Sequence, residues 1–131
     1  MPTDTEAATL RLFANKTERG AEAETRALRH LQRQGLKLVT RNWRCPGGEL
    51  DLVMSVRDTL VMVEVRKRAR SDYGDAFASV NARKRGRVIR AAKMFLAAHP
   101  QYARHAVRFD VVAVDAEDKV EWLEAAFDAT E

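Results

Sequence analysis

The chain has 131 residues, 46% of them hydrophobic and 32% charged, with a formal net charge of +4. That length suits one domain with a core of its own. A single cysteine, Cys45, excludes an internal disulfide framework and fits a reducing cytoplasm.

No apolar run approaches the ~18 residues that a membrane span needs. The opening segment lacks the basic start and apolar block of a secretion signal, so residues 1–18 read as a loose tail, with a short turn of helix around Leu10 to Phe13, ahead of a domain over 19–131. "GAEAETRALRHLQRQG" predicts a helix: Ala21, Ala27, Leu28 and Leu31 fall on one stripe, and Gly35 supplies its stop. "LKLVTRNW" follows as a strand and "PGG", Pro46 to Gly48, as a turn. "ELDLVMSV" and "TLVMVEVR" alternate on either side of Arg57 and Asp58 and predict a hairpin. After a glycine-containing loop comes a helix from about Val80 to Ala98, stopped before Pro100. "AVRFDVVAV" is a strand and "VEWLEAAF" a short strand or a helical ending. The predicted fold class is α/β, a single domain of order α-β-β-β-α-β with a mixed sheet flanked by helices.

The hairpin carries the chemistry. A turn centred between Arg57 and Asp58 pairs Leu52 with Val63, Leu50 with Val65 and Met54 with Val61 on one apolar face. On the other face it sets Asp51 opposite Glu64 and Glu49 opposite Arg66. Two carboxylates across a strand pair have Cβ atoms only ~5 Å apart and repel. A divalent cation offsets that repulsion, since Mg²⁺ is held by one or two carboxylates plus phosphate and water. A retained proton, or neutralisation by Arg66 and its basic neighbours, does so equally.

Two helix positions bear on the choice. Glu24 falls inside the apolar stripe of the first helix, where an unpartnered carboxylate is costly. Lys84 falls within the stripe of Val80, Val88, Ala91 and Phe95 on the second. Either side chain can snorkel at a stripe's edge, but three inward-leaning acids and a lysine from four elements together describe a site.

Charge is unevenly spread along the chain. Between Arg66 and Lys93 ten basic residues stand against two acidic ones, and from Asp110 onward eight acidic residues stand against Lys119. A basic middle suits a polyanion such as nucleic acid, the alternative being a solubilising face. Arg68 and the outer arc of the second helix, Arg83, Arg87, Arg90 and Lys93, are the expected phosphate contacts. Trp43, Phe95, Phe109 and Trp122 read as packing, His30, His99 and His105 as solvent-facing, and Asp110 as structural, pairing with Arg108 or capping a turn.

The hairpin resembles the PD-(D/E)xK nuclease signature, with Asp51 as first acid, Glu64 as second and Arg66 in the lysine position. More narrowly, the chain resembles the YraN family, uncharacterised bacterial proteins with a restriction-endonuclease-like, Holliday-junction-resolvase-like fold. The matching residues are Gly20, Glu24, Ala27, Leu31, Gly35 and Asn42, then "GGELDL", "VEVRKR", "YG" at Tyr73, "SVNARK", "RFDVV" and "VEWLEAAF". The resemblance implies Mg²⁺ or Mn²⁺ on Asp51 and Glu64, with the Val65 carbonyl as a further ligand and Glu24 nearby. It also implies endonuclease action on branched or irregular DNA, with DNA ahead of RNA, and a homodimer that cuts two strands. The departure is Arg66, which cannot act as a base. Lys84 is the candidate to reach in from the second helix. A non-catalytic nucleic-acid-binding or protein-interaction module is the alternative.

Overall fold

The computed structural model describes residues 20–68, 77 and 80–129. The tail read over 1–18 and the "YG" at Tyr73 lie outside them. Helix α1 spans residues 20–33. Five strands follow: β1 (Lys37–Cys45), β2 (Gly48–Val56), β3 (Thr59–Arg68), β4 (Ala106–Asp115) and β5 (Val120–Phe127). Helix α2 (Ala82–Ala98) and a 3₁₀ turn (Pro100–Tyr102) connect β3 to β4. The sheet order is β1-β2-β3-β4-β5, antiparallel except for the parallel β3–β4 pair. The ending "VEWLEAAF" is therefore a fifth strand.

Among the described residues, α1 packs on one face of the sheet and α2 on the other. Ala23, Ala27, Leu28 and Leu31 of α1 pack on Leu52, Met54, Val61, Val63, Val112 and Val114. Val88, Ile89, Ala91, Ala92 and Phe95 of α2 pack on Leu50, Val53, Leu60, Met62, Phe109 and Val111. Ala23 replaces Ala21 in the predicted stripe, because Ala21 is exposed. The hairpin face is also more mixed than alternation predicts. Leu50 belongs to the α2 side, and the face expected to be polar is apolar through Val53, Leu60 and Met62.

Local chemistry fixes the ends. Gly35, at φ 95°, closes α1 in a Schellman motif: its N–H donates to Gln32 O at 3.0 Å, and the Leu36 N–H donates to Leu31 O at 3.1 Å. Helix α2 starts at Ala82, two residues later than expected, behind the N-cap Asn81, whose side chain accepts from the Lys84 amide at 3.0 Å. That interaction contributes about 1 kcal/mol. At the start of β2, Gly48 permits an unusually close approach of strand to helix. A Cβ there would lie 2.4 Å from Arg87 O, so the glycine sets how near α2 comes to the strand bearing Asp51.

Candidate metal and phosphate site

The predicted hairpin register holds from Val56–Thr59 to Leu52–Val63 and then stops. The expected backbone pairing of Asp51 with Glu64 is absent. The strands part, and Asp51 Oδ2 accepts a hydrogen bond from the Val65 amide at 2.9 Å. A side-chain carboxylate thus stands in for a ladder partner at the carboxyl end of β3, where parallel strands commonly present ligand sites.

Glu64 lies on the α2 side and is 2% exposed. Both of its carboxylate oxygens are buried without a hydrogen-bond partner of good geometry. Positive charge stands close by: Lys84 Nζ is 3.0 Å from Glu64 Oε1, and Arg66 Nη1 is 3.7 Å away. Burial, followed by the charge of Asp51, pushes the Glu64 carboxyl up to about 8, with Lys84 opposing. Burial likewise raises Asp51, against the pull of the Val65 amide. Glu24 is raised by burial and by Asp51, with Arg41 opposing.

The structure brings together Asp51, Glu64, Lys84 and Arg66, with Glu24 reaching from α1 into the field of Asp51. Arg41, absent from the sequence expectations, joins them: its Nη2 is 3.5 Å from Glu24 Oε1 and 3.4 Å from Thr25 Oγ1. Edge strand β1 bulges between Leu38 and Thr40, and Asn42 sits at φ 55°, so strand alternation does not reveal where Arg41 turns.

Several expected contacts go elsewhere. Glu49 pairs with Arg44 at 3.7 Å, not with Arg66. Arg68 is buried, with Glu121 at 2.9 Å and Asp115 at 3.7 Å, so acidic neighbours on β4 and β5 already take up its charge. Lys67 is exposed and lines a cavity with Glu22, Ala23 and Arg26 of α1, so it does not replace a lysine at position 66. The histidines depart from a solvent-facing reading. His99 stacks on Phe95 at 4.0 Å and its Nδ1 lies 2.8 Å from Phe95 O, while His30 packs edge-on to Trp122.

Asp110 is structural, as expected, and fully buried. It accepts from Arg108 Nε and Nη2 at 2.9 Å each, from Trp122 Nε1 at 2.8 Å and from the Ala125 amide at 2.9 Å. These bonds hold the irregular β4–β5 register beside Phe109 and the positive φ of Ala125.

Among the described residues, no group of three or more His, Cys, Asp and Glu side chains is arranged to hold a metal ion. The donors available to a divalent cation are therefore the two carboxylates of Asp51 and Glu64. They suit an ion of the Mg²⁺ type, which completes its shell with water and phosphate oxygens. The burial of Glu64 against a second carboxyl, Asp51, is the feature that fits them to it.

The profile of the uncharacterised protein family UPF0102 matches residues 23–114. The chain belongs to this family. UPF0102 is the family that the sequence resemblance designates YraN. A UPF0102 protein of Ectopseudomonas mendocina is 48% identical over 119 residues, covering 89% of this chain and all of the relative. One of Pseudomonas fluorescens is 49% identical over 114 residues, covering 84% and 93%. One of Stutzerimonas stutzeri is 48% identical over 113 residues, covering 84% and 94%. Among the described residues no helix is long and apolar enough to cross a membrane.

Proposed function

We propose that this UPF0102 protein binds nucleic acid and is a metal-dependent endonuclease of branched or irregular DNA, with Asp51 and Glu64 holding Mg²⁺ or Mn²⁺. The observation that carries this reading is Glu64: a buried carboxyl set against the carboxyl of Asp51, with the Lys84 ammonium 3.0 Å from its Oε1. Burying two acids side by side is costly, and a cation and phosphate arriving together relieve that cost.

Each side chain then has a task. Asp51 bridges the open ladder and keeps one oxygen on the Val65 amide, which fixes its orientation. Glu64 presents both oxygens from the α2 face. Arg66, a permanent cation, offsets charge that builds on the phosphate. Lys84 holds its ammonium against Glu64 and can turn toward phosphate once Glu64 is otherwise engaged. Glu24, steadied by Arg41, adds negative field from the α1 side. When bound, the cation lowers the pKa of a water and offsets charge on the leaving oxygen.

The test is incubation with duplex, single-stranded, flap and four-way-junction DNA in Mn²⁺, with Asp51→Ala alongside. Cleavage by the native chain alone is expected, and equal cleavage by the variant would overturn the assignment. One observation favours a second reading, a non-catalytic binding module: Lys84, 3.0 Å from Glu64, already supplies a cation from within the fold. That reading expects binding of the same DNA with no cleavage and no metal response.

A further inference from the structure

The four cations expected to form one ridge on α2 do not share a surface. Arg83 and Arg87 face a cleft of about 220 Å³, which they line with Arg66, Asn81 and Lys84. Arg90 turns the other way. Its Nε donates to Pro46 O at 2.8 Å, and its side chain covers Gly47 so closely that a Cβ there would lie 2.8 Å from Nε. Lys93 borders a separate, largely apolar cleft with Leu96, Phe109 and Phe127.

The first cleft is built for an anion. Among the described residues that line it, four of five are cations, and two of them, Lys84 and Arg66, also stand against Glu64. No carboxylate engages Arg83 or Arg87 among the described residues. The first turn of α2 holds no acidic residue, so its helix dipole adds to the positive field. Arg83 and Arg87 are four residues apart and neighbours on one helix face. Gly48 brings the Arg87 backbone down onto β2, which fixes the cleft relative to Asp51.

We infer that this cleft is a backbone-phosphate subsite, and that a nucleic-acid strand crosses the N-terminal end of α2 to reach Glu64 instead of running along the helix past Arg90 and Lys93. The inference rests on the nucleic-acid reading above and adds the strand's path to it. Phosphate contacts fix register without reading sequence, so the subsite sets which phosphodiester lies beside the acids.

Binding without metal separates this path from the question of cleavage. The full chain is titrated in EDTA with a labelled four-way junction across a range of salt, and log affinity is plotted against log salt concentration. Arg83→Gln/Arg87→Gln is expected to flatten the slope by about 1.4–1.8, the loss of two phosphate contacts. Lys93→Gln and Arg90→Gln are expected to leave the slope as in the native chain. An unchanged slope in the double variant, or equal flattening by Lys93→Gln and Arg90→Gln, overturns the path while leaving the nuclease reading intact. Absence of binding by the native chain removes both. Binding without cleavage in Mn²⁺ removes only the nuclease reading.

Discussion

Asp51 Oδ2 accepts the Val65 amide at 2.9 Å, one step beyond the last backbone pair of the β2–β3 ladder, Leu52 with Val63. The bond is structural, whereas the charge on the same carboxylate works against stability, since after burial it is the next cause that raises Glu64. Asp51→Asn keeps an acceptor for Val65 and removes the charge. It is expected to unfold at higher urea than the native chain at pH 8 in EDTA, by about 1–2 kcal/mol, while abolishing cleavage. Asp51→Ala leaves the amide unpaired and is expected to fall about 1–3 kcal/mol below Asp51→Asn.

The pH dependence follows from Glu64. Its folded pKa of about 8 lies above the ordinary carboxyl value of 4.5, so between those limits the folded chain binds more protons than the unfolded one. Stability contributed by this group is therefore present below about pH 4.5 and is lost as pH rises toward 8. Urea midpoints of the native chain in EDTA are expected to fall over that window relative to Glu64→Gln, whose neutral side chain removes the effect. Parallel curves for the two proteins would show that Glu64 titrates normally.

Asp110 tests the far side of the sheet. Replacing it with alanine removes the acceptor of Trp122 Nε1 and of the Ala125 amide and leaves Arg108 only its pair with Glu124 at 3.4 Å. Removing one partner of a buried charged network costs about 3–5 kcal/mol. Urea unfolding of Asp110→Ala is expected to show a loss of that size.

Gly48→Ala probes the helix–strand approach. The added Cβ would fall 2.4 Å from Arg87 O and 3.0 Å from the Ala91 N and Cβ, and a helix backbone cannot yield as a flexible side chain can. A loss of roughly 1–3 kcal/mol is expected from such overpacking, together with weaker DNA binding as the turn bearing Arg83 and Arg87 is displaced. Thermal melts and the binding titration check the two effects.

Much of this architecture was legible in the sequence, and the failures have physical causes. Gly35, Pro46–Gly48, the Arg57–Asp58 turn and Pro100 mark ends that chain chemistry enforces, so element order followed from them. Alternation placed Leu52, Met54, Val61 and Val63 together on one face. It could not reveal that the ladder opens at Asp51, because period-2 reasoning assumes the pairing continues. It also missed Leu50 on the opposite side, since a sheet covered by a helix on each face has no polar side to alternate against. Glu24 and Lys84 were found as charges out of place in apolar stripes. Arg41 was hidden on an irregular edge strand, and Arg68 by acids distant in sequence on β4 and β5. Helical periodicity grouped Arg83, Arg87, Arg90 and Lys93 as a ridge, but only contacts with Pro46 and the β4–β5 side divide them.

The most direct test of the acid pair as a cation site is the melting temperature at pH 8 with and without Mn²⁺, for the native chain and for Glu64→Ala. The native chain is expected to melt several degrees higher in Mn²⁺, as binding to the folded state alone requires, and Glu64→Ala is expected to show no rise. A native melting temperature indifferent to Mn²⁺, or an equal rise in Glu64→Ala, would contradict a cation site built on Glu64.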